Sequence, residues 1–438
     1  MREMKDSGNK WIGLIPKTWG VERIKTIFSE RSELSEDGSE TLLSVSEYYG
    51  VANRAEKVED GEYVSRAESL VGYKKCYKGD LVSNIMLAWK GSMGVTELDG
   101  IVSPAYCVYK PSKSVYPRYY HYLFRTSLYT SIFRLYSKGI IDSRLRLYSP
   151  YFFDIKAIIP SFAEQQKIAE FLDRKCAEVD EMIALQEQII EELKAYKQSV
   201  ITEAVTKGLN PDAPMRDSGI EWIGQIPEHW STKRLKDVGY LYGGLTGKAG
   251  DDFIAEDDET CQYMRFIPYT NIFNNYLINP AQLYKVRIEE GEKQNLVNKG
   301  DILFLMSSED YDGVGKPAMI DVQVDNLGLN SFCKGFRITD NGTYPKYLLY
   351  LLLSHTLREM VRQEGKGFIR INLRQDKLST CPIILPDIVE QQAIADYLDE
   401  KCADIDSLIQ TKQSKIDSLK EYKKSIIYEY VTGKKEVI

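Results

Sequence analysis

Residues 164–183 read EQQKIAEFLDRKCAEVDEMI, and residues 390–409 read EQQAIADYLDEKCADIDSLI. Twelve of the twenty positions are identical, and swaps such as Phe171 for Tyr397, Glu170 for Asp396 and Val179 for Ile405 conserve the chemistry. The copies lie 226 residues apart in a chain of 438. Outward from this segment, other repeats appear in the same order in both halves. DSGNKWIGLIPKTW from Asp6 matches DSGIEWIGQIPEHW from Asp217. YKGDLVSNIM from Tyr77 resembles NKGDILFLM from Asn298, and YPRYYHYLF from Tyr116 resembles YPKYLLYLL from Tyr344. GIIDSRLRLYSPYFFDIKAIIP from Gly139 resembles GFIRINLRQDKLSTCPIILP from Gly367. The offset grows from 211 to 226, so the second half is longer by about fifteen residues, much of it gained between Tyr242 and Val297. The chain is a tandem duplication whose period is far too long for a solenoid.

The repeated segment opens a long helix. No Gly or Pro occurs from Phe162 to Val205. Ile168, Leu172, Lys175, Val179, Met182, Gln186, Ile189, Leu193, Tyr196 and Val200 follow 4–3 spacing, which predicts a coiled-coil seam. Ile394, Leu398, Ile405, Leu408, Ile416, Leu419 and Ile426 give the seam of the second copy. Each helix is expected to begin after a proline (Pro160, Pro386) and to stop near a glycine (Gly208, Gly433). At 1.5 Å per residue each spans roughly 60–65 Å. Two such helices in one duplicated chain are expected to pair with each other, antiparallel across a pseudo-twofold. The segments between them carry short apolar runs such as DLVSNIMLAW and DILFLM, broken by Gly, Asp and Asn, then short helical stretches. Each reads as an α+β domain. Equivalence of the halves also predicts that the first WIG motif sits near the end of the second long helix, around residues 425–435.

Composition is that of a globular protein, 43% hydrophobic and 28% charged. No apolar run approaches the ~20 residues that cross a membrane, and the N-terminus lacks the apolar core of a secretory signal. Seven scattered cysteines without a CxxC pair suggest a reducing, cytoplasmic setting. Three distant histidines make no zinc signature.

Motifs for catalysis are weak. GGLTGKA from Gly243 is one residue too short for a phosphate loop and has Ala249 where Ser or Thr is needed. SPAY from Ser103 lacks the second proline of an amino-methyltransferase loop and reads as a strand entry. EELK from Glu191 contains a nuclease-like ExK but lies within the long helix. Cys176 and Cys402 occupy matching helix positions and read as small buried residues.

Charge distribution says more. The net charge is −7. Yet residues 110–156 hold nine basic and two acidic side chains, and residues 334–377 hold nine and four. The first long helix, 162–205, has five basic and ten acidic residues. Two basic segments thus occupy equivalent places, and both place Lys or Arg beside glycine, a pattern suited to phosphates and guanine edges. Lys138, Arg144 and Arg146 in the first half, and Lys366, Arg370 and Arg374 in the second, are the candidate DNA contacts, with Lys90 and Lys316 as second choices.

The pattern resembles the specificity (S) subunit of type I restriction–modification systems. The carrying features are WIG-IP-W at 11–19 and 222–230, and the IP/LPD-to-EQQ-I-A-x-x-L junctions at 159–172 and 385–398. The resemblance covers essentially the whole chain and implies the following expectations. Two pseudo-symmetric target recognition domains, each reading one half of a bipartite double-stranded DNA target, are separated by two long helices that form an antiparallel coiled coil. The parts are an N-terminal arm (1–19), recognition domain 1 (20–160), a spacer helix (161–207), a linker with the second WIG motif (208–231), recognition domain 2 (232–386), a C-terminal spacer helix (387–433) and a tail (434–438). The helices would dock two methyltransferase (M) subunits and, through them, restriction (R) subunits. The chain would be non-catalytic and hold no cofactor, with S-adenosylmethionine in M and ATP with magnesium in R. Outer-face residues Gln165, Gln166, Glu170 and Asp173, and their matches Gln391, Gln392, Asp396 and Asp399, are the expected partner contacts. The rival readings are a self-contained DNA methyltransferase or nuclease, and a pure coiled-coil scaffold.

Overall fold

The computed structural model describes residues 2–56, 69–254 and 262–437. Cys261 falls outside them. The chain divides into two compact units, residues 1–187 with 413–438, and residues 188–412. The unit boundaries fall inside the long helices, so each unit holds part of both. Among the described residues no helix is long and apolar enough to cross a membrane.

The first unit is built around a four-stranded antiparallel sheet of Phe28–Arg31, Leu81–Asn84, Met93–Val95 and Tyr106–Pro111. Numbered along the chain, the strands lie in the order first–fourth–second–third. The run LVSN is buried throughout because the strand is covered on both faces. Successive side chains alternate. Leu81 joins a cluster with Phe28, Tyr109, Tyr120 and Phe124, while Val82 joins Leu43, Val45, Cys76 and Val102 on the other face. The second unit repeats the plan with Gly239–Gly243, Ile302–Leu305, Pro317–Met319 and Cys333–Ile338, in the same order. Ile302 and Phe304 face one cluster, Leu303 and Leu305 another. The stretch between Tyr242 and Val297 supplies Phe253–Ile254, Tyr263–Ile267 and Tyr284–Arg287, which join Leu327–Leu329 in a further sheet.

Each sheet domain is closed at its neck. The strand that enters pairs antiparallel with the strand that leaves: Gly20–Arg23 with Lys156–Ile159, and Ser231–Arg234 with Pro382–Leu385. Ahead of each neck the WIG-IP motif forms a hairpin, Met4–Asp6 with Leu14–Pro16 and Met215–Asp217 with Gln225–Pro227. The carboxylates of Asp6 and Asp217 accept the N–H of Gly8 and Gly219, each at 2.9 Å, and so shape the turns.

The long helices run Phe162–Lys207 and Ile388–Val431. Within each unit they pair antiparallel. In the first unit Phe171 packs at a tilt against Tyr430, ring centroids 4.5 Å apart, and nine residues later Asp180 meets Lys423 at 2.6 Å. In the second Lys197 meets Asp406 at 2.7 Å, while a Cβ on Gly208 would touch Glu390 at 3.1 Å. The seam departs from the expected phase. Met182, Tyr196 and Leu408 are exposed, and Ile183, Ile190, Lys197 and Ile409 turn inward instead. A helix of 3.6 residues per turn drifts ~20° per heptad against a 3.5 repeat, so the buried stripe moves on by one residue.

The expected placement of the first WIG motif is found within the first unit. Ile12, Ile15 and Trp19 pack in one cluster with Val431, and Pro16 and Trp19 lie against Gly433. The second unit makes the same joint, with Ile223, Ile226 and Trp230 beside Val205 and Gly208.

Candidate nucleic-acid interface and the helix junctions

Three polar residues of each EQQ helix bolt it to its own domain. The indole N–H of Trp19 donates to Glu164 at 3.1 Å, and that of Trp230 donates to Glu390 at 3.1 Å. The Gln165 amide accepts the Tyr116 N–H at 2.8 Å and donates to the Pro160 carbonyl at 2.9 Å. Gln391 does the same with Tyr344 and Pro386 at 2.8 and 2.9 Å. Asp173 accepts from the Tyr122 hydroxyl at 2.6 Å and Arg118 at 2.8 Å. Asp399 accepts from the Tyr350 hydroxyl at 2.7 Å and Lys346 at 2.6 Å. Burial, and then these carboxylates, raise both tyrosine pKa values. The outer-face expectation is therefore corrected for four of eight residues. Gln165 and Gln391 are buried, and Asp173 and Asp399 are engaged by their own recognition domains. Gln166, Glu170, Gln392 and Asp396 are exposed on the helices.

The basic segments each end in a closed loop. Lys138 and Arg146 exchange both backbone hydrogen bonds at 2.9 Å; Lys366 and Asn372 exchange theirs at 3.0 and 2.9 Å. Each loop opens on a glycine with positive φ, +152° at Gly139 and +150° at Gly367. A Cβ there would strike the carbonyl of Arg144 or Arg370, so glycine is required. The return arms are rooted in the core by Leu145 and Leu147, and by Ile371 and Leu373. The Leu147 N–H donates to Ile85 and the Leu373 N–H to Met306, both at 2.9 Å. Lys138, Arg144, Lys366 and Arg370 are exposed on these loops. Beside the second loop lies a cleft of about 470 Å³, lined by Tyr269, Phe273, Asn330, Phe332 and Arg370 among others.

Residues 227–430 match the family model described as "Type I restriction modification DNA specificity domain". That match takes in the second neck, sheet, loop and helix, all of which the first half repeats. The second half of the chain thus carries the specificity domain of type I restriction–modification systems. It is 25% identical over 283 residues to the type I restriction enzyme MjaVIII specificity subunit of Methanocaldococcus jannaschii, covering 65% of this chain and 63% of that one. Across the other curated relatives it matches, it spans about half their length. In fold it is similar to a chain from a structure on complex assembly and conformational transition of the type I R-M system, with TM-score 0.68, 17% identity and coverage of 96% and 99%. It is also similar to the crystal structure of the HsdS subunit from Thermoanaerobacter tengcongensis, with TM-score 0.53, 18% identity and coverage of 96% and 98%.

The remaining candidates divide between the surface and the interior. Lys316 is corrected: its ammonium donates to the Phe273 carbonyl and lies over the Phe273 ring at 5.2 Å. Burial, then Arg358, lowers its pKa, so it is an internal tie. Arg374 is exposed but forms a two-point pair with Asp376 at 2.9 and 2.8 Å, outside the loop. Arg146 is half-buried and turns back on the Ser143 and Leu145 carbonyls at 3.2 and 2.8 Å, stitching the loop from within. Lys90 stays exposed, stacked with Arg134 on Trp89.

The weak catalytic motifs have structural roles. Tyr106 begins a strand after the Ser103 turn, and Lys194 pairs with Glu191 at 2.8 Å along the helix. Cys176 and Cys402 are buried, which pushes both thiols up. Lys248, the would-be phosphate lysine, pairs with Glu292 at 2.5 Å. The Glu289 N–H, then Lys248 and Gln294, hold the Glu292 carboxyl at about 2. A carboxyl depressed in the folded state stabilises above its unfolded value of ~4.3, and that stabilisation is lost as pH falls towards 2. Calorimetry across this range should show a shallower acid limb for Lys248→Met than for the wild type. Identical limbs would mean the pair contributes nothing.

Proposed function

We propose that this chain is the DNA-reading subunit of a type I restriction–modification complex, each recognition domain contacting one half of a bipartite duplex target. The observation that carries the reading is the repeated loop. Two glycine-closed basic loops stand at equivalent places on two copies of one scaffold, while the junction beneath each is nearly invariant. Identical junctions suit a common partner, and differing loops suit different half-sites. Phosphate contacts from Lys138, Arg144, Lys366 and Arg370 position the loops, and side chains at base edges supply specificity. The long helices set the spacing between half-sites. The exposed Gln166, Glu170, Gln392 and Asp396 are surfaces for two M subunits, through which R subunits join.

The chain itself acts as reader, with S-adenosylmethionine bound by M and ATP with magnesium by R. The engagement of Lys248 in a largely buried ion pair with Glu292, and the place of the ExK residues on the surface of a long helix, support this over a self-contained methyltransferase or nuclease. Methylation mapping in cells carrying this chain with its M partner tests the proposal. The expected result is one bipartite motif with a fixed gap. Methylation that is absent, or independent of this chain, would sink it, as would S-adenosylmethionine binding by the isolated chain.

A further inference from the structure

The apex of each closed loop is apolar and stands in water. Ile140 is 100% exposed with Ile141 beside it, and Phe368 is 103% exposed with Ile369 beside it. The pairs occupy the same place in the two halves, directly after Gly139 and Gly367. Single exposed apolar residues are ordinary, but adjacent pairs at the tip of a rooted loop, present twice, are not. The loops are held out by their backbone bridges and by core leucines and isoleucine on the return arm, so a chain that buried its tips would have to break them.

Their surroundings select the occupant. Lys138 and Arg144 flank the first tip, Lys366 and Arg370 the second, and residues 366–372 contain no carboxylate. The one acid of the first loop, Asp142, is paired with Arg134 at 2.7 Å. An apolar tip between cations complements bases framed by phosphates. The tips also differ as half-site readers should. GIIDSRL closes the first loop and GFIRI the second, so length and residue identity change while apolar character is kept. A surface meeting the same methyltransferase twice would be expected to resemble the junctions, where the residues repeat.

We propose that Ile140–Ile141 and Phe368–Ile369 enter a groove of their respective half-sites and make apolar contact with the bases, against thymine methyls or an opened base step. The flanking cations hold the neighbouring phosphates. This rests on the half-site reading above.

The test uses the full chain assembled with its M subunits and the duplex motif mapped for the wild type. Phe368→Ser/Ile369→Ser and Ile140→Ser/Ile141→Ser are compared with Arg370→Ala by fluorescence anisotropy over a salt series. Because the tips are exposed, the serine variants should melt no lower than the wild type. Each is expected to bind about ten-fold or more weakly, because serine buries far less apolar surface against the bases, with the salt slope unchanged. Arg370→Ala should reduce the slope by about one. Methylome mapping should show relaxed preference in one half-site only, the second for Phe368/Ile369 and the first for Ile140/Ile141. Wild-type affinity in both serine variants, or a changed salt slope, would overturn the proposal. So would loss of M-subunit assembly, which would make the tips a protein-docking surface. A wild-type complex that binds no sequence would instead remove the half-site reading itself, and this inference with it.

Discussion

Trp230→Ala is expected to destabilise the unit of residues 188–412 by about 3–5 kcal/mol, the cost of deleting a fully buried large aromatic side chain. Trp230 fills the joint between the WIG hairpin, the end of the first long helix and the start of the second. It is 2% exposed, packs edge-on to Tyr347 at 6.5 Å and lies against Gly208. Its N–H also satisfies Glu390, whose carboxylate among the described residues keeps His229 at 2.8 Å once the indole is gone. Trp19→Ala should act equally on the other unit, where Arg2 covers the ring at 5.0 Å and the indole N–H donates to Glu164. Hydrogen exchange read by mass spectrometry localises each effect. Protection should fall mainly in 188–412 for Trp230→Ala and in 1–187 with 413–438 for Trp19→Ala. A loss below about 1 kcal/mol in both would mean that these joints do not hold the units together.

Gly367→Val should leave the fold standing and remove reading of the second half-site. At φ +150° a side chain is strained, and its Cβ would overlap the Arg370 carbonyl, so the loop must reopen. Phe368 and Ile369, the proposed base contacts, then leave their places together with Lys366 and Arg370. At ~1–3 kcal/mol for each base contact, removal of two corresponds to about a hundredfold in affinity. The mapped motif should keep its first half and lose definition in its second. Gly139→Val should do the reverse. Wild-type methylation by Gly367→Val with an unchanged melting temperature would remove this loop from the interface.

The duplication, the two long helices, their punctuation by Pro160, Gly208, Pro386 and Gly433, and the docking of the first WIG motif at the end of the second helix could all be read from the chain. Each depends on local period or on identity between copies, and both are written in one dimension. The basic loops were legible for the same reason, since lysine beside glycine recurs in order. Their apolar tips went unread because exposure is not visible in a residue's identity: Phe368 at a loop apex and Phe124 in a core look alike in sequence. A signal for the internal bolts was present but unconnected. Tyr122 and Tyr350 repeat, as do Asp173 and Asp399, and residues repeated in two separate segments are natural partners for each other.

The amino-acid sequence by itself thus determined the repeated architecture, because helix period, breakers and copy identity act over a few residues. Only the tertiary structure decided which polar groups are used up inside. Gln165 meets Tyr116 across 49 positions, Asp173 meets Tyr122 across 51, and Lys316 meets Phe273 across 43. It also decided the seam, where Ile183 replaces Met182 after a fraction of a turn has accumulated along the helix. Burial is set by what long-range folding brings alongside a side chain, and a paired charge inside a joint has the same letter as a free one on a loop.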